Sequence, residues 1–242
     1  MKSNNIFLSI IMPVFNEVKT IRKIVEVVDK VKIKNPDKKY LSKELIIVDD
    51  GSSDGTQEIL KHIKKHDYSM SVRVILKEKN QGKGSAVRRG IAEVRGKWTI
   101  IQDADLEYDP EDYNSLLKPA LRKVANVVYG SRFTGEHRNM YYWHLVGNKF
   151  LSFVTNILYN TTISDMETCY KLIDTDILKK LNLRSNRFDI EPEITAKILK
   201  QGIRIYEVPI SYTGREMNEG KKISWKDGFG ALWTIIKYKF IN

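Results

Sequence analysis

Cysteine is nearly absent from the sequence, and long apolar runs are absent altogether. The single cysteine, Cys169, excludes an internal disulfide and is compatible with a reducing compartment. No stretch approaches the roughly 20 uninterrupted apolar residues that a membrane-spanning helix needs. The polar first residues, followed by an apolar run that Pro13 interrupts, do not resemble a signal peptide. We therefore predict a globular, cytoplasmic protein.

Acidic residues are fewer than basic residues, 30 against 41, which gives a formal net charge of +11. Such an excess fits nucleic acid, an anionic bilayer surface or a phosphorylated substrate. The lysines and arginines are scattered, and the sequence has neither a zinc-ligand spacing nor an RNA-binding aromatic motif. The charge therefore favours a membrane surface or a phosphate ligand over nucleic acid.

Buried-strand patterns alternate with helical periodicity through the first half of the chain. Strands are predicted at residues 8–14, 45–48, 72–76, 98–102 and 126–129, and helices at 18–28, 56–66, 84–94 and 111–124. This alternation is typical of an α/β fold with a mostly parallel central sheet. In such sheets, ligands bind beyond the carboxyl ends of the strands.

The second half of the chain is richer in helical patterns. A helix is predicted over residues 143–159, with apolar side chains on one side: Trp143, Val146, Phe150, Phe153, Val154, Ile157 and Leu158. The tail, residues 223–240, combines aromatic residues with lysines. Both segments suit a membrane interface, and both equally suit packing onto the sheet or into a dimer. We predict a single domain over residues 1–242, with a nucleotide-binding half (1–132) and an acceptor-binding half (133–242).

Polar clusters follow the predicted strands. They lie at residues 13–17, 49–54, 80–84, 103–107 and 130–132. Because the ends of parallel strands meet at one edge of a sheet, we predict that these clusters form one composite site. Asp103 and Asp105, one residue apart at a strand end, can share Mg²⁺ or Mn²⁺ with substrate phosphate oxygens. An Asp-x-Asp pair is also a common solvated turn.

The order and spacing of these clusters resemble the family 2 glycosyltransferases with a GT-A fold. Within that family the chain most resembles the dolichyl-phosphate mannose synthase group and its bacterial polyprenyl-phosphate relatives. The matching segments are residues 11–17, 48–56, 80–84, 103–107, 130–132, 164–171, 214–215 and 220–222. Where that group often has glutamine, this chain has Glu107, and the residues ahead of its acceptor helix differ from the group's Arg and Ser.

The resemblance implies roles for individual residues. It implies substrate binding by Pro13, Phe15, Glu17, Val48, Asp50, Asp103, Ala104, Asp105, Arg132, Arg215 and Lys221. It implies metal binding by Asp103 and Asp105, with Glu107 as a further candidate ligand, and catalytic roles for Asp105 and Arg132.

Structural roles compete with functional ones in the same loops. Asn16 is a candidate helix cap, with Glu17 favouring the helix dipole. Asp54 is predicted to support the start of the next helix, and Lys83 to be solvated.

The activity implied by the resemblance is inverting transfer of a sugar from a nucleoside diphosphate sugar to a polyprenyl or dolichyl phosphate. GDP-mannose is the favoured donor and UDP-glucose the alternative. The phosphate acceptor is already ionised and needs no strong base, whereas with a sugar hydroxyl Asp165 or Glu167 becomes the base candidate.

Two other functions stay open, a family 2 transferase with a saccharide acceptor and a non-catalytic nucleotide- or nucleic-acid-binding module. We predict a peripheral location at the cytoplasmic face of a membrane. A membrane-spanning partner protein is a further alternative.

Overall fold

A seven-stranded sheet forms the centre of the structure, a computed structural model that describes residues 6–35, 39–63, 67–215 and 225–241. The strands are β1 (Leu8–Val14), β2 (Ile33–Lys34), β3 (Tyr40–Leu41), β4 (Lys43–Asp49), β5 (Ser71–Leu76), β6 (Trp98–Ile101), β7 (Val127–Ser131), β8 (Lys171–Asp174) and β9 (Tyr206–Pro209). Strands β2 and β3 pair separately, and the large sheet has the order β5-β4-β1-β6-β8-β7-β9. Only β8 runs antiparallel to its neighbours among the described strands of this sheet. The predicted α/β fold with a mostly parallel sheet is confirmed.

Helices follow most of the strands. They are α1 (Ile21–Lys30), α2 (Thr56–Lys61), α3 (Lys83–Ile91), α4 (Tyr113–Leu121), α5 (Tyr142–Tyr159), α6 (Thr175–Lys180), α7 (Ile190–Lys200) and α8 (Trp225–Phe240). The helix predicted over residues 111–124 begins instead as a 3₁₀ turn at Pro110, where the Asp109 side chain accepts a hydrogen bond from the amide of Glu111. It ends at Leu121, shortly before Lys123 adopts a left-handed φ of 58°. The helix predicted to continue from Thr56 to about residue 66 ends at Lys61, and residues 64–66 lie outside the described part of the chain.

The core lies on both faces of the parallel strands. Strands β1 and β4 are apolar along most of their length because helices cover both of their faces. On one face, Ile21, Ile24 and Val28 of α1 are fully buried against the sheet, and on the other Ala86 of α3 packs against Ile11. Each fully buried isoleucine or valine side chain contributes about 1.5–3 kcal/mol. This core holds the strands in place. It therefore also determines where the loops at the strand ends lie.

Helices α5 and α8 pack against each other outside the sheet. Leu151 and Val154 of α5 pack with Ile235 of α8 in a small apolar cluster. In contrast, Trp143 is 78% exposed and Phe153 is 59% exposed. The apolar side of this helix is therefore divided between two environments, because Val154 and Leu158 pack inward while the other residues of that side are exposed.

The outward-facing apolar residues of the two helices form what we call the α5–α8 patch. Its members are Trp143, Val146, Phe150, Phe153, Ile157, Phe229, Trp233 and Phe240. Tyr238, an aromatic residue of the tail for which the sequence left both an interfacial and a packed position open, is buried. None of the helices in the described ranges combines the length and apolar character needed to cross a membrane.

Candidate functional site

The carboxyl ends of the parallel strands open onto a cleft of about 1010 Å³. Its walls include most of the predicted site residues: Pro13, Phe15, Glu17, Asp50, Asp103, Ala104, Asp105, Glu107, Arg132 and Arg215. Val48 is an exception, because its side chain is fully buried with Ile11, Ile46 and Ala86 between the sheet and α3. Lys221 lies outside the described residues. The structure thus brings the polar loops of distant segments to one place.

Three carboxylates converge on the guanidinium of Arg215. Its Nη2 lies 3.0 Å from Oδ2 of Asp105 and 3.4 Å from Oε1 of Glu17, and its Nε lies 3.5 Å from Oε1 of Glu107. Burial, together with the charges of Asp103 and Glu107, raises the pKa of Asp105 to about 7. The cluster is therefore a concentration of negative charge that favours a bound cation.

Glu107 anchors the segment that carries Arg215. Its Oε1 accepts a hydrogen bond of 2.9 Å from the backbone amide of Arg215, and its Oε2 accepts one of 2.7 Å from the hydroxyl of Tyr212. Its backbone carbonyl also accepts a bond from the amide of Thr213. Both carboxylate oxygens are thus engaged in holding this segment at the cleft.

Lys83 links the acidic turn to helix α7. Its Nζ lies 2.9 Å from Oδ1 of Asp103 and 3.3 Å from Oε1 of Glu191. Burial alone would raise the pKa of Asp103, but the adjacent ammonium lowers it below its usual value. The prediction that Lys83 is solvated is wrong, since its side chain is only 14% exposed. No local pattern could have indicated this, because Glu191 lies far away in the sequence.

Asp50 shapes the glycine-containing loop before α3. Its Oδ2 accepts hydrogen bonds from the amides of Gln81, at 3.0 Å, and Gly82, at 2.6 Å, while Lys77 forms an ion pair with its other oxygen. Gly82 has a φ of 101°, and a Cβ there would lie 2.3 Å from the carbonyl oxygen of Asn186. Only glycine fits this close approach. The predicted contact of Asp50 with substrate stays a prediction.

Asn16 joins two of the loops instead of capping α1. Helix α1 begins at Ile21, whereas Asn16 has a φ of 52° and its side-chain oxygen accepts a bond of 2.9 Å from the amide of Ser53. The capping prediction for Asn16 is therefore wrong. Asp54 does support the start of α2, because its Oδ1 accepts a bond of 3.0 Å from the amide of Thr56.

Arg132 and Asp165 form a buried bidentate pair. The Nε and Nη2 atoms of Arg132 each lie 2.7 Å from an oxygen of Asp165, and the amide of Arg132 donates to the same carboxylate at 3.0 Å. This geometry fixes the guanidinium at the wall of the cleft. Both oxygens of Asp165 therefore accept hydrogen bonds from Arg132, and its role as a base candidate stays a prediction.

Other cleft residues were not predicted as site residues from the sequence. They include Arg187 and Phe188 on the segment before α7, and Glu191 at the start of that helix. Glu167 also lies in the wall of the cleft. From the sequence it was predicted only as a base candidate for a sugar-hydroxyl acceptor. The first three carry no motif, because their place at the cleft depends on how α7 packs.

Within the described residues, no group of three or more His, Cys, Asp or Glu side chains is arranged to hold a metal ion. Asp103 and Asp105 nevertheless supply two hard oxygen ligands at one turn, which is the protein share of a typical Mg²⁺ site completed by substrate phosphates. The donor set therefore fits a divalent cation bound together with a diphosphate.

Two proteins with related sequences are named as glycosyltransferases. The chain is 29% identical over 259 residues to the dolichyl-phosphate beta-glucosyltransferase of Dictyostelium discoideum, covering 98% of this chain and 75% of the relative. It is 29% identical over 249 residues to the UDP-N-acetylglucosamine–dolichyl-phosphate N-acetylglucosaminyltransferase of Methanococcus voltae, covering 95% of each.

Solved structures with the same fold include glucosyl-3-phosphoglycerate synthase of Mycobacterium tuberculosis. That enzyme, crystallised with Mn²⁺, UDP and glucosyl-3-phosphoglycerate, matches with a TM-score of 0.66 and 17% identity, covering 98% of this chain and 81% of that one. It has also been crystallised with Mg²⁺ and UDP. At this identity the likeness concerns the fold, which is the predicted GT-A fold.

A family assignment follows from the sequence match. Residues 9–181 match Glycosyl transferase family 2, and this segment covers well over half of the chain. The two relatives extend the similarity over nearly the whole length. The protein therefore belongs to glycosyl transferase family 2 and is a glycosyltransferase.

Proposed function

We propose that the protein transfers a sugar, with inversion, from a nucleoside diphosphate sugar to a polyprenyl or dolichyl-type phosphate. The observation that carries this proposal is the cleft itself, where the acidic turn at Asp103 and Asp105 faces the cationic side chains of Arg132 and Arg215. This arrangement suits a ligand with several phosphate groups. The names of both relatives, which include dolichyl phosphate, support the same acceptor class.

Asp103 and Asp105 are the residues that would hold Mg²⁺ or Mn²⁺, which when bound supplies positive charge beside the leaving diphosphate. The negative charge of this cluster, reflected in the raised pKa of Asp105, supports the assignment. Both metals occur in crystals of the structural neighbour. Glu107 is retained as the further candidate ligand.

The cationic residues take the anionic groups of the substrates. Arg132, held by Asp165, presents a fixed guanidinium to the cleft. Arg215, with Lys221 on the following segment, would offset the repulsion between the acceptor phosphate and the donor diphosphate. Glu17, with Pro13 and Phe15, would contact the nucleoside. In this proposal the single domain has a nucleotide-binding half (1–132) and an acceptor-binding half (133–242).

The proposal for the donor nucleotide rests on the family resemblance of the loop sequences and on the names of the relatives. The family resemblance favours GDP-mannose slightly over UDP-glucose as the donor. The names of one relative and of the structural neighbour's crystals include a uridine nucleotide, which supports UDP-sugars as equally important candidates. Mannose, glucose and N-acetylglucosamine all belong in the donor screen.

The α5–α8 patch supports work at a membrane surface. Trp143 belongs both to the patch and to the cleft wall, so the apolar surface is continuous with the site. A lipid phosphate seated in the cleft would therefore have its chain beside exposed aromatic side chains. We propose a peripheral position at the cytoplasmic face of a membrane, with a spanning partner protein as the alternative anchor.

A donor and acceptor screen tests the proposal. Purified protein is incubated with UDP-glucose, UDP-N-acetylglucosamine or GDP-mannose and with farnesyl phosphate or a C55 polyprenyl phosphate. We expect formation of a glycosylated lipid phosphate with Mn²⁺ or Mg²⁺ and its loss with a chelator. Transfer at full rate in the presence of chelator would contradict the metal assignment. Turnover with saccharides but not with lipid phosphates would favour the saccharide-acceptor alternative.

A further inference from the structure

Glu167 lies in the wall of the cleft, and its carboxyl carries a buried oxygen, Oε1. Among the residues that the structure describes, no group forms a hydrogen bond with this oxygen. The other acidic side chains of the cleft wall for which the structure gives cationic or amide partners are Glu17, Asp50, Asp103, Asp105, Glu107 and Glu191. The proposed mechanism so far gives Glu167 no role. An unsatisfied buried acceptor beside a substrate cleft points to a ligand group.

The loop that carries Glu167 is held in place on both sides. Asp165 is paired with Arg132, and the amide of Met166 donates a bond of 3.0 Å to Oγ of Ser152. After Glu167, the amide of Cys169 donates a bond of 3.0 Å to the hydroxyl of Tyr108. The carboxyl is therefore presented to the cleft by a backbone fixed by buried hydrogen bonds.

Charges of both signs surround Glu167. Burial is the main influence and raises the pKa of its carboxyl to about 7. Lys171 and Arg132 favour ionisation, whereas Glu191 and Asp165 oppose it. Lys171 forms an ion pair with Glu191, in which its Nζ lies 2.8 Å from Oε2. Near neutral pH the carboxyl can therefore either hold or release a proton.

This behaviour matches the chemistry of a phosphate monoester. Its second pKa is near 6, so the phosphate also exchanges one proton close to neutral pH. An ionised carboxylate facing a phosphate dianion would repel it, whereas one shared proton converts the contact into a strong hydrogen bond. A nucleoside diphosphate sugar has no such proton to share near neutral pH, so the match concerns the acceptor.

We propose that Glu167 recognises the acceptor phosphate by sharing one proton with it, and keeps this proton when the phosphate oxygen attacks. In that step a bond forms between the phosphate oxygen and the anomeric carbon. The bond from that carbon to the diphosphate breaks, and its electron pair leaves with the nucleoside diphosphate. The proton remains on Glu167 and passes to water after the product leaves. The inference rests on the proposed function and names the acceptor-recognising residue of that site.

Proton uptake on acceptor binding tests the proposal without turnover. Farnesyl phosphate is titrated into the wild-type protein at pH 8.0 by calorimetry in three buffers with different ionisation enthalpies. At this pH the free phosphate and most of Glu167 are ionised, so binding is expected to take up close to one proton. Glu167→Gln is expected to take up close to none, and the exposed Glu78→Gln variant to match the wild type. Absence of uptake by the wild type would overturn the proposal even if Glu167→Gln did not fold.

The pH profile of the acceptor kcat/KM gives a second readout. For the wild type it should fall about tenfold between pH 7.5 and 8.5, as Glu167 loses its proton before binding. For Glu167→Gln, whose amide stays neutral, it should stay within about twofold over the same range. Superimposable profiles with active wild type would overturn only the role of Glu167. A wild type that never uses farnesyl phosphate would instead overturn the proposed function, and this inference with it.

Discussion

At the scale of single residues, the acidic turn depends on its cationic neighbours. Lys83 lies between Asp103 and Glu191, and Arg215 lies among Glu17, Asp105 and Glu107. Without these cations the buried carboxylates would be uncompensated, which is costly in a site of low dielectric constant. The two cations therefore stabilise the conformation of the acidic turn in the folded protein.

Lys83→Met should destabilise the protein, because it leaves Asp103 and Glu191 without their shared cation. Removing one partner of a buried pair typically costs about 3–5 kcal/mol. Urea unfolding followed by circular dichroism measures the loss. Lys79→Met, at an exposed lysine near the same loop, is the matched control and should change the free energy of unfolding by less than about 0.5 kcal/mol. Equal stability of the two variants would contradict the buried role of Lys83.

The variants Asp105→Asn and Glu107→Gln test whether each residue binds the metal ion or only holds the segment of Arg215. We expect Asp105→Asn to lower Mn²⁺ affinity, measured by calorimetry with UDP present, by about 10–100-fold or more. The oxygen of a glutamine at position 107 can still accept the bond from the amide of Arg215, and its NH₂ group can donate to the hydroxyl of Tyr212. Its effect should therefore stay within about threefold if Glu107 is mainly an anchor. A loss comparable to that of Asp105→Asn would instead favour Glu107 as a further ligand.

At the scale of elements, a buried carboxylate joins the strands behind the cleft. Glu44 of β4 accepts a bond of 2.6 Å from Ser9 of β1, and its Oε2 lies 3.1 Å from Arg73 of β5 and 2.9 Å from Arg95. Burial alone would raise the pKa of Glu44, but these hydrogen bonds and charges lower it below its usual value. The folded state therefore favours the ionised carboxylate.

The sign of the pH dependence follows from that shift. Because the pKa of Glu44 is lower in the folded chain than in the unfolded chain, its contribution is complete above pH of about 4.3 and is lost as the pH falls further. Glu44→Gln should therefore cost about 2–3 kcal/mol at pH 7 and progressively less towards pH 3. Urea unfolding at several pH values measures this difference. Glu58→Gln, in an exposed pair with Lys61, is the control, and a gap independent of pH would contradict the argument.

Strand positions could be predicted from the sequence because the run of apolar residues in each strand is a local pattern. The continuous apolar runs of β1 and β4 indicated strands covered on both faces, and the polar residues after them indicated the edge where the cleft lies. The ion pair of Lys83 with Glu191 could not be predicted, since it depends on how α7 packs. Which apolar residues of α5 are packed could not be predicted for a similar reason, because Val154 and Leu158 are partly buried by contacts with α8, which is distant in the sequence.

At the scale of the whole molecule, the proposed membrane contact would combine the net charge of +11 with the α5–α8 patch. Positive charge attracts an anionic bilayer over roughly the Debye length, whereas exposed aromatic side chains contribute only on contact. Trp143 connects the patch with the cleft wall. A bilayer docked there would deliver a lipid phosphate to the acidic turn without extracting its chain into water.

A matched control variant distinguishes membrane binding by the α5–α8 patch from non-specific binding of exposed aromatic residues. Phe153→Ser with Trp233→Ser should weaken binding to vesicles containing phosphatidylglycerol by at least about tenfold, because each aromatic side chain contributes about 1.5–3 kcal/mol when buried in an apolar phase. Tyr40→Ser is the control, since Tyr40 is 64% exposed, as is Trp233, but lies on β3. Sedimentation with vesicles measures the binding, which should also fall between 50 and 500 mM NaCl as charge is screened. If the double variant bound vesicles like the wild type but no longer self-associated in analytical ultracentrifugation, the patch would be a dimer contact instead.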